Sequence, residues 1–290
     1  MEMKKFLISE FAKSRSLVSS GDKYLAGQVV IIGGSSLFHG APILSLKAAS
    51  RLVSMTYFSS PSEDKGIAEK IKSSLSSFVW VEREQVDSYI AKSDAILIGP
   101  GLMRSHIKEQ KFVCDSEGEV TRNLSLNLFK KFPDKKWVVD GGTLQVVSVK
   151  DIPRGSVVTP NKKEFEMLFG EKLRDDFDER CEQVFDLSKK HGLVILTKDA
   201  VAIASNGVEL WTVEGGSDGL VKGGVGDVIA GLTLGFLAKD DPLFAACAAT
   251  FLVKKAAEEL TKTNSFMFNS DDLVDMVPTT YGRVVTTTGL

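Results

Sequence analysis

The sequence predicts an α/β fold in which a mostly parallel sheet carries helices on both faces. Three observations predict it. Five short apolar runs break off into glycine, proline or acidic residues. Helical patterns fall between those runs. The runs do not alternate apolar with polar, which suits strands buried on both faces of a parallel sheet.

The strand candidates come in order. Residues 29–32 precede Gly33-Gly34, 95–98 precede Gly99-Pro100-Gly101, and 137–139 precede Asp140-Gly141-Gly142. Residues 157–158 precede Thr159-Pro160-Asn161, and 193–196 precede Thr197-Lys198-Asp199. Helices are predicted over 42–53, 64–75, 123–132, 163–169 and 178–190. Such alternation builds βαβ units. After residue 196 the pattern changes. Residues 201–204 and 208–213 flank Asn206-Gly207, a hairpin turn. A glycine-rich loop follows over 215–226, then two apolar helical segments, 228–238 and 243–253, parted by Lys239-Asp240-Asp241-Pro242. Each is well short of the ~20 residues that span a bilayer, so a buried helix pair is expected and no membrane. With no internal repeat or low-complexity linker, residues 1–290 read as a single domain.

Composition narrows the function classes. The chain is 43% hydrophobic and 26% charged, with 36 basic and 38 acidic residues and a net charge of −2. That balance speaks against a general nucleic-acid binder. Cys114, Cys181 and Cys247 are far apart with no C-x-x-C, so neither a disulfide framework nor a cysteine zinc site is expected, and a cytoplasmic location fits. The acidic run 175–179 reads as a solvated helix start, and 266–268 as an apolar anchor before a helix cap at Asn269. Cys247 reads as a small core residue, and His106 and His191 as solvent-facing.

In open α/β sheets ligands sit beyond the carboxyl ends of the strands, and five glycine-bearing or polar loops are predicted there. The most informative stretch is 222–231, KGGVGDVIAG, opening a helix. Free amides at a helix N-terminus make an anion site, and phosphoryl transfer needs such a cradle. Asp227 is either the base that takes a proton from an attacking hydroxyl or a simple helix cap. The dinucleotide fingerprint fails because Ile229 stands at its third glycine, and no P-loop pattern occurs. Lys198 is a candidate phosphate contact. His39 and Asp140 each have a turn or cap role as the competing reading.

The ordered motifs resemble the ATP- or ADP-dependent NAD(P)H-hydrate dehydratases of the ribokinase-like superfamily. Residues 29–42 resemble the family's G-G-S…G-A segment, 98–102 its I-G-P-G-L, and 159–165 its T-P-[HN]-x-x-E-F. Residues 196–200 resemble its V-L-K-G-A, and 222–231 its G-G-[TQ]-G-D signature. The resemblance implies a ribokinase-like three-layer sandwich. It implies a lyase that repairs hydrated NADH or NADPH by phosphorylating the added hydroxyl and eliminating phosphate, with ATP or ADP as donor and Mg2+. It implies that Asp227 is the base and touches substrate, and that Gly224, Val225 and Gly226 supply anion-hole amides. Lys198, Asp199, Ala200, Val201 and Ala202 would bind the nucleotide; Ala41, Gly101, Asp140 and Asn161 would line the substrate side. A homo-oligomer, often a tetramer, is implied as well. No metal-ligand set is assigned. The departures are Gly142 for the second aspartate of D-A-D-A-L, Met103 for a glycine, and Asp199 for the glycine of K-G-A. The competing readings are a kinase acting on a hydroxymethyl vitamin precursor and a nucleotide binder without turnover.

Overall fold

The computed structural model describes residues 2–14, 25–61, 65–104, 106–108 and 111–287. Its strands are β1 (Met3–Lys5), β2 (Gln28–Ile32), β3 (Met55–Ser59), β4 (Val79–Trp80), β5 (Ala95–Ile98), β6 (His106–Lys108), β7 (Lys111–Val113), β8 (Lys136–Val139), β9 (Val157–Val158), β10 (Val194–Leu196), β11 (Ala202–Ser205) and β12 (Leu210–Val213). Its helices are α1 (Ile8–Phe11), α2 (Gly40–Ala49), α3 (Lys65–Ile71), α4 (Val86–Lys92), α5 (Ser116–Lys131), α6 (Gly141–Leu144), α7 (Lys162–Phe169), α8 (Phe177–His191), α9 (Val225–Leu237), α10 (Pro242–Asn264) and α11 (Ser270–Thr287).

Ten strands form one sheet in the order β1-β12-β11-β10-β9-β8-β5-β2-β3-β4, and β6 and β7 pair separately. From β10 through β4 every neighbour is parallel. The β11–β12 hairpin turns antiparallel to β10, and β1 closes that edge parallel to β12. Both faces of the sheet are dry. Val29 and Ile31 of β2 pack with α2, α9, α10 and α11, whereas Val30 and Ile32 pack with α4, α5, α7 and α8. This is the ribokinase-like three-layer sandwich, and the unbroken apolar runs of the parallel strands follow from its two buried faces.

Local chemistry sets the helix ends. Asp176 caps α8 by accepting from the Glu179 amide, and Asp241 caps α10 with Pro242 in its first turn. Both fit known start signals. The acidic run is therefore the helix start expected of it. Several boundaries differ from expectation. Helix α5 begins at Ser116 rather than 123, because Asp115 accepts from Gly118 N–H and starts it a full two turns earlier. Helix α10 runs on to Asn264 as one 23-residue helix. Strand β3 and helix α4 carry no turn glycine to flag them. His191 is half-buried against the Phe169 ring, not solvent-facing, and burial lowers its pKa. The His106 side chain lies outside the described residues. Cys247 is a core residue whose thiol burial pushes up. Of 266–268 only Phe268 anchors; Phe266 and Met267 are exposed.

Candidate active site

The carboxyl ends of β5, β8, β9 and β10 and the N-terminus of α9 open on one cavity of about 890 Å³. The close approach of these loops depends on glycine. Gly99, at φ +123°, lies so near the Asp140 carbonyl that a Cβ would stand 1.7 Å from it. Gly101 (φ +72°) would meet the Phe38 carbonyl at 2.5 Å. Gly33-Gly34 serve packing instead: the Gly34 amide donates to the Pro100 carbonyl at 2.9 Å.

Helix α9 is preceded by Gly224 in the left-handed region, φ +91°. The Val228 amide is bonded back to the Gly224 carbonyl. The amides before it, at Val225 and Gly226, belong to the turn whose donors have no intrahelical acceptor. The 222–224 bend is fixed from outside: Ser270 donates to the Gly223 carbonyl at 2.7 Å, and Ser45 donates to the Asp227 carbonyl at 2.8 Å. Asp227 stands within the first turn, and Gly224 holds the cap position. The cap reading of Asp227 is thereby set aside.

A buried charge cluster sits under this turn. Asp140, 3% exposed, accepts at Oδ1 from Thr159 Oγ1 (2.6 Å) and from Lys198 Nζ (2.8 Å). It makes no cap bond to α6. Lys198 passes close under Gly226, where a Cβ would lie 3.0 Å from Nζ. Burial alone would push the Lys198 ammonium down, but Asp140, Glu164 and Asp227 outweigh it and hold its pKa above the ordinary lysine value. Burial, and then the Asp140 carboxylate, raise Asp227 from 3.8 to about 7; Lys198 pulls against them. Burial also raises Glu164, which closes a capping box with Asn161 and accepts weakly from Gln145. A carboxyl poised near neutrality beside a lysine and a helix N-terminus can take up a proton while the cradle receives an anion.

The remaining expected residues fall around the same cavity. Ala41, Gly101, Asn161, Asp199, Ala200 and Ala202 all line it, together with Gly224, Val225 and Gly226 of the cradle. Val201 lies in the bend between β10 and β11 and does not line it. Asn161 spends its side-chain oxygen on the Lys163 and Glu164 amides, leaving its amide nitrogen for a ligand. Asp199, the carboxylate next to the presumed phosphate site, is paired with Arg180 at 3.3 Å and Lys162 at 3.9 Å. Gly142 packs under the Leu102 carbonyl, where a Cβ would stand at 2.2 Å, so no aspartate fits there in this backbone. Met103 does not line the cavity. His39 precedes α2 without a side-chain cap bond.

Sequence reasoning missed three lining groups. Glu164 was legible only as a motif letter. Arg104 stacks over the Phe38 ring at 5.0 Å on the rim. Lys254, buried within α10, had no local signal at all.

A parallel sheet with the hairpin edge, dry on both faces and carrying this cradle at its carboxyl ends, defines a ribokinase-like α/β protein. The NAD(P)H-hydrate dehydratase family model matches residues 29–279. An ADP-dependent (S)-NAD(P)H-hydrate dehydratase of Nitrosopumilus maritimus is 29% identical over 287 residues, 96% of this chain and 93% of that protein. A bifunctional NAD(P)H-hydrate repair enzyme of Hyperthermus butylicus is 28% identical; the match covers 87% of this chain and 48% of that protein. This chain therefore spans about half of that bifunctional relative's length. The ADP/ATP-dependent NAD(P)H-hydrate dehydratase of Bacillus subtilis, co-crystallised with ATP and Mg2+, shares the fold. Its TM-score is 0.80 at 19% identity, covering 98% of this chain and 99% of that one. The chain belongs to the NAD(P)H-hydrate dehydratase family. Among the described residues no helix is long and apolar enough to cross a membrane.

Proposed function

We propose that this protein restores NADH or NADPH from the hydrated cofactor, with ATP or ADP as phosphoryl donor. The hydroxyl left by water addition attacks the terminal phosphorus of the donor and gives its proton to Asp227, while the bond from that phosphorus to the bridging oxygen breaks and ADP or AMP leaves. The resulting phosphate ester then loses phosphate together with a neighbouring ring proton, and the ring double bond returns. Phosphate is a far better leaving group than hydroxide, which is the reason to phosphorylate first.

The observation that carries this reading is Asp227: a carboxyl raised to about 7, in the first turn of α9, beside the glycine cradle. The Val225 and Gly226 amides would stabilise charge on the moving phosphoryl group. Lys198 would add a positive charge beneath it, held in place by Asp140. Ala41, Gly101 and Asn161 would take the hydrate, and the 198–202 segment the donor.

Among the described residues no three His, Cys, Asp or Glu side chains converge as an ion cage. Asp140 and Asp227 do reach the cavity. That donor set fits a magnesium ion carried mostly by nucleotide phosphates, with at most two carboxylates. Such an ion would neutralise phosphate charge when bound.

The test is a restoration assay. Protein, magnesium and chemically hydrated NADH are mixed with ATP or with ADP, and reduced-nicotinamide absorbance is followed. Donor-dependent recovery is expected and names the donor. A product that keeps its phosphate would replace the reading with a kinase, and no reaction with either donor would overturn it.

A further inference from the structure

Helix α10 carries a lysine where its neighbours are alanine, leucine and valine. Lys254 is 4% exposed and lies within the alanine-rich core face of that helix. Taking an ammonium out of water is costly unless it is fully paired. Lys254 is paired with backbone: Nζ donates to the Ala200 carbonyl and to the Gly215 carbonyl, the latter at 3.1 Å. One turn along, Glu258 Oε1 accepts from the Gly216 amide at 3.0 Å. The Gly215 carbonyl and the Gly216 amide belong to a single peptide unit. Two side chains at i and i+4 of one helix therefore hold both polar ends of that peptide.

The held peptide needs holding. Gly215 and Gly216 have φ of +92° and +99°, in a stretch between β12 and the 3-10 turn over Asp218–Val221 that carries no ladder bonds. Gly215 favours glycine because its φ of +92° is one that side-chain-bearing residues rarely adopt. Both tethered segments line the cavity, and the shared ammonium holds them side by side there: Ala200 from the β10–β11 bend, and Gly215 and Gly216 from the loop leading into the cradle. Without the ammonium, two carbonyls face one another there with nothing between them.

We propose that Lys254 and Glu258 are positioning residues that pin the two loops of the nucleotide end, so that they set affinity for the phosphoryl donor and not for the hydrate. The proposal rests on the nucleotide reading of that end of the cavity. Lys254 acts through the Ala200 and Gly215 carbonyls, and Glu258 through the Gly216 amide.

The experiment uses the full chain and ADP or ATP as probe, by titration calorimetry, followed by steady-state assays. Lys254→Met keeps the side-chain length and removes the donors. Its ADP dissociation constant should rise at least tenfold, with donor KM rising in step, while kcat at saturating donor and hydrate KM stay within about twofold. Glu258→Gln keeps an acceptor oxygen and should retain unaltered affinity, whereas Glu258→Leu should weaken ADP at least threefold. An ADP affinity within twofold of the unaltered protein for Lys254→Met, or equal rises in both KM values, would overturn the proposal. If Lys254→Met does not fold, the Glu258→Leu and Glu258→Gln pair carries the same test. Failure of the unaltered protein to bind either nucleotide would instead remove the underlying nucleotide reading.

Discussion

Replacing Asp227 with Asn should make the protein more stable while removing its chemistry. The carboxyl is raised from 3.8 to about 7 by burial and by Asp140. An acid whose pKa is higher in the fold ionises first in the unfolded chain. Its contribution is therefore neutral below the unfolded value, grows destabilising as pH rises from the unfolded value to the folded one, and levels off above that. Each pH unit between the two values costs about 1.4 kcal/mol, which comes to a fraction of that at pH 4 and about 4 kcal/mol at pH 8. Readjustment of Lys198 and Glu164 trims the larger figure. Asparagine removes the charge and keeps the shape. Urea unfolding of both proteins at pH 4 and pH 8 should show a gain of a few kcal/mol at pH 8 and almost none at pH 4. Turnover in the same variant should fall by about 10²–10⁴, the usual contribution of a general base. Equal effects at the two pH values, or a loss at pH 8, would refute the buried, like-charge environment assigned to Asp227.

Other consequences are open to measurement. Turnover of the unaltered protein should rise with pH through a midpoint near 7, because Asp227 works deprotonated, and should be about tenfold below its plateau at pH 6. In Asp140→Asn that midpoint should move to lower pH, since the variant loses a repelling charge and frees Lys198 for Asp227; a pH-rate profile reads it. Lys198→Met should destabilise the fold by about 3–5 kcal/mol by leaving the buried Asp140 carboxylate without its partner, as measured by denaturant midpoint. Asn161→Asp keeps the cap oxygen and loses the amide nitrogen. Stability should hold while hydrate KM rises, whereas Asn161→Ala should lose about 1 kcal/mol as well.

The parallel half of the sheet was legible because each of its central strands ends in a residue forced by geometry. Gly99 and Gly101 allow backbone to touch backbone, and Asp140 begins a charge cluster; both mark a strand end in plain sequence. Strand β3 ends in Ser-Ser-Pro with no such marker, and β1 is a three-residue strand whose partner lies more than 200 positions away. The cradle and Asp227 could be read because helix-start chemistry is local. What held Asp140 could not, because Lys198 is 58 positions off and only the parallel register of β8, β9 and β10 brings the two together. The same holds for Asp199. Its carboxylate reads as a defect beside a phosphate site until Arg180, 19 positions back on α8, is placed against it.

The pairing of β1 with β12 has a consequence for how the chain is made. Strand β1 has no partner in the sheet until residues 210–212 have been added. At about 5–20 residues per second that is a wait of roughly 10–40 s. Phe6 and Phe11 share the delay. Their rings pack on Trp211, Phe244, Phe251, Phe236 and Tyr281, all from the last third of the chain. Throughout that interval the nascent protein thus carries an exposed apolar segment, and docking of α9, α10 and α11, after the hairpin edge has formed, is the event that takes it out of reach of chaperones and proteases.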